Sequence, residues 1–399
     1  MTLSRPVDTV PRQHSPARLR LAVLQKHVQL FRVPIFERLS RLAHIDLTVL
    51  SGSRMAVPES KFAFETVRSF SLPLGSRSTL IHPRPLYDGV RGRYDAIICE
   101  GSARVFTSVL LALARPLIKT RVIWWGSLYD GKRRRVGVPR GLKGQVLRRA
   151  LRNVDAFIAY SSDAARCATE EVRVPANRVF IAPNVLDTDV LVGVERSWRS
   201  DPPRLSEFRR ANGFEGRQVI LFVGRLLESK RVDDLLVAFR LIRARLLPHR
   251  PLLVVVGSGP AEQRLRTLAS DLNVAHDVRF YGEIRAPEDV CPFFLSARAF
   301  VLPGPGGLAV YHALAHGVPT IATVADGTER DLVLPGRNGY LVEPGDIDCL
   351  ANRAEILLTA SPEHWAAFSE AAKKVARDDM HVVRMIAAFE AALIPSAST

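Results

Sequence analysis

The sequence predicts an α/β protein with two successive domains, each built on a parallel sheet with helices on both faces. Short apolar runs alternate with amphipathic segments along most of the chain, which is typical of parallel sheets with crossover helices. This alternation restarts after a polar stretch near the middle. A chain of 399 residues also exceeds what one ordinary hydrophobic core accommodates, so two domains are expected.

The first half of the chain contains the first alternating unit, preceded by residues 1–17, which we expect to be a flexible tail. Its strands are predicted at residues 19–24, 45–50, 96–99, 121–125, 156–159 and 179–181. Its helices are predicted at residues 30–42, 107–117, 141–152 and 164–171.

The second unit follows residues 192–216, a polar and proline-containing stretch that we interpret as a linker leading into a short helix. We place the domain boundary near residue 195. Strands are predicted at 218–223, 252–256, 278–281, 299–302 and 320–324, with helices at 232–245, 261–272, 289–296, 308–316, 347–358 and 363–392. Because ligands of open α/β sheets bind at the carboxyl ends of the strands, the cleft between the two domains is the expected site.

Composition indicates a soluble globular protein, with 47% hydrophobic and 24% charged residues. The four cysteines are widely separated and form no disulfide or metal-binding pattern, which favours a reducing compartment. The first residues contain no apolar core of a signal peptide, and no apolar run reaches the length of a membrane span. We therefore expect a cytoplasmic protein.

The net charge of +16 is concentrated in the first half. Residues 1–200 carry 33 Lys and Arg against 16 Asp and Glu, whereas residues 201–399 carry 23 against 24. The densest basic segment is 132–152, in which residues 139–152 have the spacing of an amphipathic helix. Such a helix suits either a solvated surface or an anionic membrane to which the protein binds peripherally. No aromatic stacking platform accompanies the charges, which argues against nucleic acid.

A glycine-rich turn, Gly304 to Gly307, lies between a buried strand and a short helix that begins at Leu308. Exposed backbone N–H groups at a helix N-terminus favour anions. Arg225 and Lys230 follow the strand at 218–223, where they would face a diphosphate. Taken singly, these features also fit an ordinary tight connection and two solvated cations.

Several segments together resemble retaining GT-B glycosyltransferases of family 4. The matching segments are LFVGRLLESKRVDDLLVAF, VVVGSGP, VRFYGEI, FVLPGPGGLAVYHALAHGVPTIATV, GTERDLVLPGRNGYLVEPGD and the joining segment APNVLDTD. In the first half, KHVQLFRVPIFERL and VIWWGSL match more faintly. The resemblance implies an acceptor-binding domain at 18–195, completed by the C-terminal helix at about 375–399. It also implies a nucleotide-sugar-binding domain at 196–374.

The resemblance also implies roles for individual residues. Arg225 and Lys230 match the pair that holds the donor diphosphate, and His312 stands where the family grips the ribose. These three are also the catalytic candidates, because positive charge stabilises a departing diphosphate. The donor-binding candidates are Gly224, Arg225, Lys230, Gly257, Glu283, Ile284, Gly306, Gly307, Leu308 and His312. Glu100 and Ser127 are the acceptor candidates, and neither a metal nor a cofactor is expected besides the UDP- or GDP-linked sugar.

The sequence departs from the family at two glutamates eight positions apart, which are here Gly304 and His312. A histidine common after WWG is Ser127. These departures indicate a divergent subgroup. The predicted function is retaining transfer of a hexosyl or related group from a nucleoside diphosphate sugar to a saccharide or lipid-linked acceptor, in cell-surface polysaccharide or glycolipid biosynthesis. The alternative is an inactive nucleotide-binding relative that acts as a scaffold in glycan assembly.

Overall fold

A computed structural model of the chain describes residues 18–53, 61–74, 77–101, 105–130, 135–246 and 249–394. The predicted flexible tail, residues 1–17, lies outside these residues. The described chain forms two α/β domains, each containing one parallel sheet.

The first domain is built on a seven-stranded sheet. Its elements, in chain order, are β1 (Leu19–Gln25), α1 (Val33–Ser40), β2 (Ile45–Ser51), β3 (Ala63–Thr66), β4 (Phe70–Leu74), β5 (Arg77–Ile81), α2 (Pro83–Arg91), β6 (Ala96–Glu100), α3 (Phe106–Ala114), β7 (Arg121–Gly126), β8 (Tyr129–Asp130), β9 (Arg135–Val136), α4 (Gly141–Asn153), β10 (Ala156–Ala159), α5 (Ser162–Arg166) and β11 (Val179–Ile181). The strand order is β11-β10-β7-β6-β1-β2-β3, with all neighbours parallel.

Two small antiparallel pairs, β4–β5 and β8–β9, lie outside this sheet. No element was predicted between residues 61 and 91, where the structure has β3, β4, β5 and α2. β3 has four residues, none of them buried, so it lacks the continuous apolar run that marks a buried parallel strand.

The second domain is built on a six-stranded sheet in the order β14-β13-β12-β15-β16-β17. Its elements are α6 (Thr188–Arg199), α7 (Pro202–Ala211), β12 (Gln218–Val223), α8 (Val232–Arg245), β13 (Pro251–Val256), α9 (Glu262–Asp271), β14 (Val278–Phe280), α10 (Pro287–Ser296), β15 (Ala299–Leu302), α11 (Gly307–Ala315), β16 (Thr320–Thr323), α12 (Thr328–Leu332), β17 (Gly339–Val342), α13 (Ile347–Thr359) and α14 (Pro362–Lys374). All five strand pairs are parallel.

Residues 192–216 were interpreted as a linker leading into a short helix, and α7 is a short helix within this stretch. Residues 192–199 are not a linker, since they complete α6. The polar composition was misleading there because α6 buries only one side. Leu191 and Trp198 of α6 are buried, and the Trp198 indole donates a hydrogen bond to the carbonyl of Glu288 at 2.9 Å. The predicted boundary near 195 therefore falls inside a helix that packs on the second domain.

The C-terminal helix α15 (Val382–Leu393) returns to the first domain. The Phe389 ring meets the Trp125 ring edge to face, with centroids 4.9 Å apart. Arg121, at the start of β7, donates to the backbone carbonyls of the last turn of α15. The chain thus crosses between the domains twice.

Alternate residues of the central strands fill the two faces of each sheet. Leu21, Ile98 and Trp125 face a core that continues into the second domain, whereas Leu24 and Trp124 face the opposite core. The core of the second domain is therefore continuous with one face of the first sheet. Across the described ranges, no helix combines the length and apolar character needed to cross a membrane.

Candidate functional site

The glycine turn, residues 304–308, follows β15 and leads into α11. It packs directly on the backbone of a neighbouring loop. A β-carbon added at Gly304 would lie 2.4 Å from the carbonyl oxygen of Ser229 and 2.7 Å from Cα of Lys230. Glycine is therefore required here by close approach, because position 304 has no room for a side chain.

Lys230 lies against the glycine turn. It ends a short 3₁₀ helix, Glu228–Lys230, and its Nζ donates to the carbonyl of Pro305. A β-carbon added at Gly306 would lie 2.7 Å from the same Nζ. Burial lowers the pKa of Lys230, and the carboxylates of Asp326 and Glu329 oppose that shift. Lys230 therefore lies at the N-terminus of α11, which is where an anionic ligand was expected to bind.

The other predicted turns meet at the same edge of the sheet. The Gly257 N–H donates to the carbonyl of Gly282 at 2.6 Å. A β-carbon at Gly257 would lie only 1.9 Å from the carbonyl oxygen of Gly224. The φ of Gly257 is +141°, which also favours glycine. The backbones that follow β12, β13 and β14 are therefore in direct contact, with no side chain between them.

Arg225 is exposed just beyond β12, beside the segment that follows β14. Glu283 pairs there with Arg285 at 3.0 Å, and both Arg285 and Arg225 lower the pKa of Glu283. Ile284 is half-buried against the core. Arg225 thus keeps an exposed guanidinium on the face that contains Lys230 and the glycine turn.

His312 lies on α11, but its ring packs into the protein. The ring centroid is 4.3 Å from that of Phe294 and 5.0 Å from that of His316. Its Nε2 is buried without a hydrogen-bond partner in the described part of the chain. Burial, with a smaller effect of His316, lowers the pKa of His312 well below its ordinary value, so the imidazole is neutral at pH 7.

The sequence analysis missed a carboxylate at this site. Glu329 is fully buried on α12, and its Oε2 accepts a hydrogen bond from the backbone N–H of Ala325 at 3.2 Å. Its Oε1 is enclosed without a partner among the described residues. Burial, and then the charge of Asp326, raise the pKa of Glu329 to about 7, while backbone N–H groups that include that of Gly306 oppose the rise.

The rest of the first turn of α12 supports the glycine turn from behind. A β-carbon at Gly307 would lie 2.0 Å from Oγ1 of Thr328. The Thr328 hydroxyl and backbone N–H both donate to Oδ1 of Asp326. The segment GTERD after an apolar strand was quoted for its resemblance, but its spacing alone does not indicate a buried carboxylate.

The acceptor candidates lie at the carboxyl edge of the first sheet. Oε2 of Glu100, at the end of β6, accepts from the backbone N–H of Lys26 at 2.6 Å. Ser127 follows β7, and its Oγ accepts from the N–H of Tyr129 at 3.4 Å. Both side chains are half-buried on the side of the sheet that faces the cleft.

Arg32 is a second residue that the sequence analysis missed. It is 8% exposed, its guanidinium lies 3.9 Å from the centroid of the Trp125 ring, and its Nη2 donates to the Tyr160 hydroxyl at 2.7 Å. Burial raises the pKa of Tyr160, with further effects from Arg32, Glu100 and Asp326. Charged groups of both domains therefore meet around Tyr160.

The two domains touch through α5 and α12. The backbone N–H of Ser162 donates to Oδ2 of Asp331 at 2.7 Å, and Arg330 lies 3.4 Å from the carboxylate of Asp163. A cavity of about 410 Å³ lies beside this contact. Its lining is mostly charged and comes from both domains: Arg135, Val136, Asp163, Arg166, Cys167, Glu170, Glu171, Val324, Ala325 and Arg330.

The basic segment differs from the prediction in one respect. Residues 131–134 lie outside the described residues, and the helix is α4. Its apolar residues Leu147 and Leu151, with Val138 before it, are buried in the core of the first domain. Much of the apolar face of α4 is thus covered by protein, because amphipathic spacing serves a domain core equally well. Leu142, in the first turn of α4, is 77% exposed. Five basic residues in the described part of the segment are exposed: Arg135, Arg140, Lys143, Arg149 and Arg152.

The described residues contain no group of three or more His, Cys, Asp or Glu side chains that could hold a metal ion. The charges around the glycine turn belong to Arg225, Lys230, Asp326 and Glu329. The site therefore combines two cations, Arg225 and Lys230, with the carboxylates of Asp326 and Glu329 near the N-terminus of α11.

Comparison with known proteins agrees with this arrangement. Residues 205–375 match the family model for glycosyl transferases group 1. A GDP-mannose-dependent alpha-(1-6)-phosphatidylinositol monomannoside mannosyltransferase of Mycolicibacterium smegmatis is 30% identical over 247 residues, which cover 59% of this chain and 62% of the relative. A D-inositol 3-phosphate glycosyltransferase of Geodermatophilus obscurus is 30% identical over 236 residues, covering 54% and 49%. The chain thus matches less than two thirds of these relatives.

Solved structures match over nearly the whole chain. Anabaena Alr3699/HepE in complex with UDP has a TM-score of 0.72 at 18% identity, covering 94% of this chain and 98% of that one. WaaG, a glycosyltransferase involved in lipopolysaccharide biosynthesis, has a TM-score of 0.65 at 18% identity, covering 95% and 100%. The predicted fold class is confirmed: the chain has the GT-B fold, and its residues 205–375 match the group 1 glycosyl transferases.

Proposed function

We propose that this protein is a glycosyltransferase that moves a sugar from a nucleoside diphosphate sugar to an acceptor held in the interdomain cleft. The observation that carries this proposal is the position of Lys230 against the glycine turn at the N-terminus of α11. A cation and a helix N-terminus directed at one place form a site for a diphosphate. The match of residues 205–375 to group 1 glycosyl transferases supports the same assignment.

In the proposed reaction, Arg225 and Lys230 bind the donor diphosphate and stabilise the charge that it gains as the sugar leaves. Arg225 is exposed and free to move onto a phosphate, and Lys230 exchanges the Pro305 carbonyl for a phosphate oxygen. Such preorganised positive groups lower the barrier because they act where charge develops. We propose transfer with retention, in which the departing phosphate accepts the proton of the acceptor hydroxyl.

We propose that the acceptor is a saccharide or a lipid-linked saccharide in glycolipid or surface polysaccharide synthesis. Two of the relatives are named for a phosphatidylinositol mannoside and an inositol phosphate acceptor, and a structural neighbour is named for lipopolysaccharide biosynthesis. Glu100 and Ser127 at the edge of the first sheet are the proposed contacts on the acceptor side. The donor nucleotide is proposed to be UDP or GDP.

We further propose that the first domain rests on an anionic membrane surface on the cytoplasmic side. The exposed cations of α4 support this, since each basic residue near such a surface contributes about 1 kcal/mol. The contact is mainly electrostatic, because Leu147 and Leu151 of α4 are buried in the core. Leu142, which is 77% exposed, adds an apolar contact.

Calorimetric titration with UDP and with GDP tests the donor site. We expect the Arg225→Ala/Lys230→Ala variant to lose at least tenfold in affinity for whichever nucleotide the wild type binds, because two charge-assisted contacts are removed. Arg240→Ala is a matched control, since Arg240 is exposed on α8. Unchanged affinity in the double variant would reject the assignment.

A second candidate function is a nucleotide-binding scaffold without catalytic activity. Two observations favour it: Gly304 has no room for the carboxylate found in the family, and Nε2 of His312 is enclosed beside Phe294. A panel of nucleotide sugars distinguishes the two functions. An enzyme hydrolyses one donor slowly in the absence of acceptor, whereas a scaffold binds it and releases it intact.

A further inference from the structure

Glu329 has surroundings that packing alone does not explain. It is fully buried, and one of its two carboxylate oxygens has no hydrogen-bond partner among the described residues. A buried ionised carboxylate with an unused oxygen is costly, and proteins retain such groups mainly where they are used. Its position directly behind the glycine turn indicates what that use is.

Glu329 lies on the element that packs against the turn that would hold the diphosphate. Its neighbour Thr328 fills the space beside Gly307, since a β-carbon there would lie 2.0 Å from Oγ1 of Thr328. The backbone N–H of Gly306 lowers the pKa of the Glu329 carboxyl, against the effect of burial. The Glu329 carboxylate in turn raises the pKa of Lys230, whose Nζ donates to the carbonyl of Pro305. Glu329 is therefore placed to respond to charge that a ligand adds at the turn.

The charged groups around Glu329 are few. Lys230 acts on it from the loop after β12. Asp326 acts on it from the turn just before α12, the helix that carries Glu329. His312 of α11 turns toward Phe294, and Asp163 of α5 pairs with Arg166 and Arg330. Oδ1 of Asp326 accepts a hydrogen bond from Thr328. Oε1 of Glu329, in contrast, has no partner among the described residues.

A diphosphate bound at Lys230 would add negative charge beside these two carboxylates. Lys230 would then balance a ligand as well as Asp326 and Glu329. Like charges in a buried site favour uptake of a proton by one of them. Glu329 Oε1 is the place for that proton, because protonation turns an oxygen without a donor into an O–H that can itself donate.

We propose that Glu329 is the positioning carboxylate of the glycine turn and that it takes up one proton from solvent when the diphosphate of a nucleotide sugar occupies the turn. The inference rests on the proposed function. The proton binds Oε1, and no other bond is formed or broken. Donor binding would therefore weaken as the pH rises through the range in which free Glu329 loses its proton.

Calorimetry tests the proposal with UDP-glucose and GDP-mannose as probes. Their diphosphate is esterified at both ends and does not titrate near neutral pH, so any proton taken up belongs to the protein. Titrations at pH 7.5 in PIPES and in Tris, whose ionisation enthalpies differ, give the number of protons bound. We expect uptake of up to one proton by the wild type, and roughly tenfold weaker binding at pH 8.5 than at pH 6.5.

Glu329→Gln carries the neutral form permanently. We expect it to bind the donor without proton uptake and with affinity that changes less than about twofold over the same pH range. Asp348→Asn is the control, because Asp348 is an exposed carboxylate of the same domain, on α13. It should retain the proton uptake of the wild type.

The outcomes separate the two proposals. A wild type that binds a nucleotide sugar with no proton uptake and no pH dependence overturns the role of Glu329 and leaves the proposed function standing. Equal pH dependence in wild type and Glu329→Gln does the same. Absence of binding for every nucleotide sugar overturns both. The wild-type pH profile decides the question even where the glutamine variant folds poorly.

Discussion

Gly304 lies so close to Ser229 that a β-carbon at Gly304 would be 2.4 Å from the Ser229 carbonyl oxygen. The contact joins the glycine turn to the loop that carries Lys230. It leaves no space for a side chain at position 304, because the backbone of the neighbouring loop occupies it. Gly304 and Lys230 therefore form one structural unit.

This contact predicts the effect of the smallest possible side chain. In Gly304→Ala, the methyl group meets backbone atoms that cannot move aside easily, so the turn shifts away from Lys230. We expect nucleotide affinity to fall at least tenfold, measured by calorimetry, and the melting temperature to fall as well. Gly193→Ala is the control, since Gly193 has open space around it on α6 and alanine favours a helix. Normal binding by Gly304→Ala would contradict the proposed role of the contact.

The sequence predicted the strands of both sheets well, because central parallel strands are continuous apolar runs such as residues 218–223 and 299–302. The resemblance assigned Lys230 and the glycine turn to one diphosphate site, and in the structure Lys230 contacts Pro305 of that turn. The diphosphate site itself stays a prediction. Glu329 was missed for a physical reason. Whether a carboxylate after a strand is solvated or enclosed depends on which residues pack over it, and spacing does not show that.

The membrane prediction for α4 illustrates a different limit. Amphipathic spacing shows that one face of a helix is covered, but not by what. In the structure, Leu147 and Leu151 contact the core, so the charges of α4 and the exposed Leu142 remain for a partner. Similarly, Arg32 lies in a segment that was quoted for resemblance, and its burial on Trp125 depends on β7, far along the chain.

The C-terminal helix should be essential to the first domain. Phe389 is fully buried against Trp125, so Phe389→Ala leaves a large cavity and should cost about 3–5 kcal/mol of stability. Val383 lies on the same helix and is 58% exposed. Val383→Ala should change stability by less than about 0.5 kcal/mol. Urea unfolding followed by tryptophan fluorescence measures both, and similar losses would show that α15 does not pack as described.

Charge on α4 should determine binding to anionic vesicles. Lys143→Glu/Arg149→Glu reverses two exposed charges, so binding to vesicles containing phosphatidylglycerol should fall by tenfold or more, at about 1 kcal/mol for each residue near the surface. Sedimentation at low and high salt measures the effect, which salt should diminish. Arg210→Glu/Arg240→Glu makes the same change in net charge on the second domain. Equal losses in the two variants would indicate an effect of net charge alone.

Glu329 should make stability depend on pH in the absence of any ligand. Its pKa rises from 4.5 to about 7 on folding, chiefly through burial. The folded protein therefore holds a proton that the unfolded chain releases, and stability falls as the pH rises from about 4.5 to 7. The shift corresponds to on the order of 3 kcal/mol, so Glu329→Gln should match the wild type near pH 5 and exceed it at pH 8. Melting temperatures across this range, with the exposed Glu283→Gln as control, measure the difference, and parallel curves for wild type and Glu329→Gln would show that Glu329 is ionised throughout.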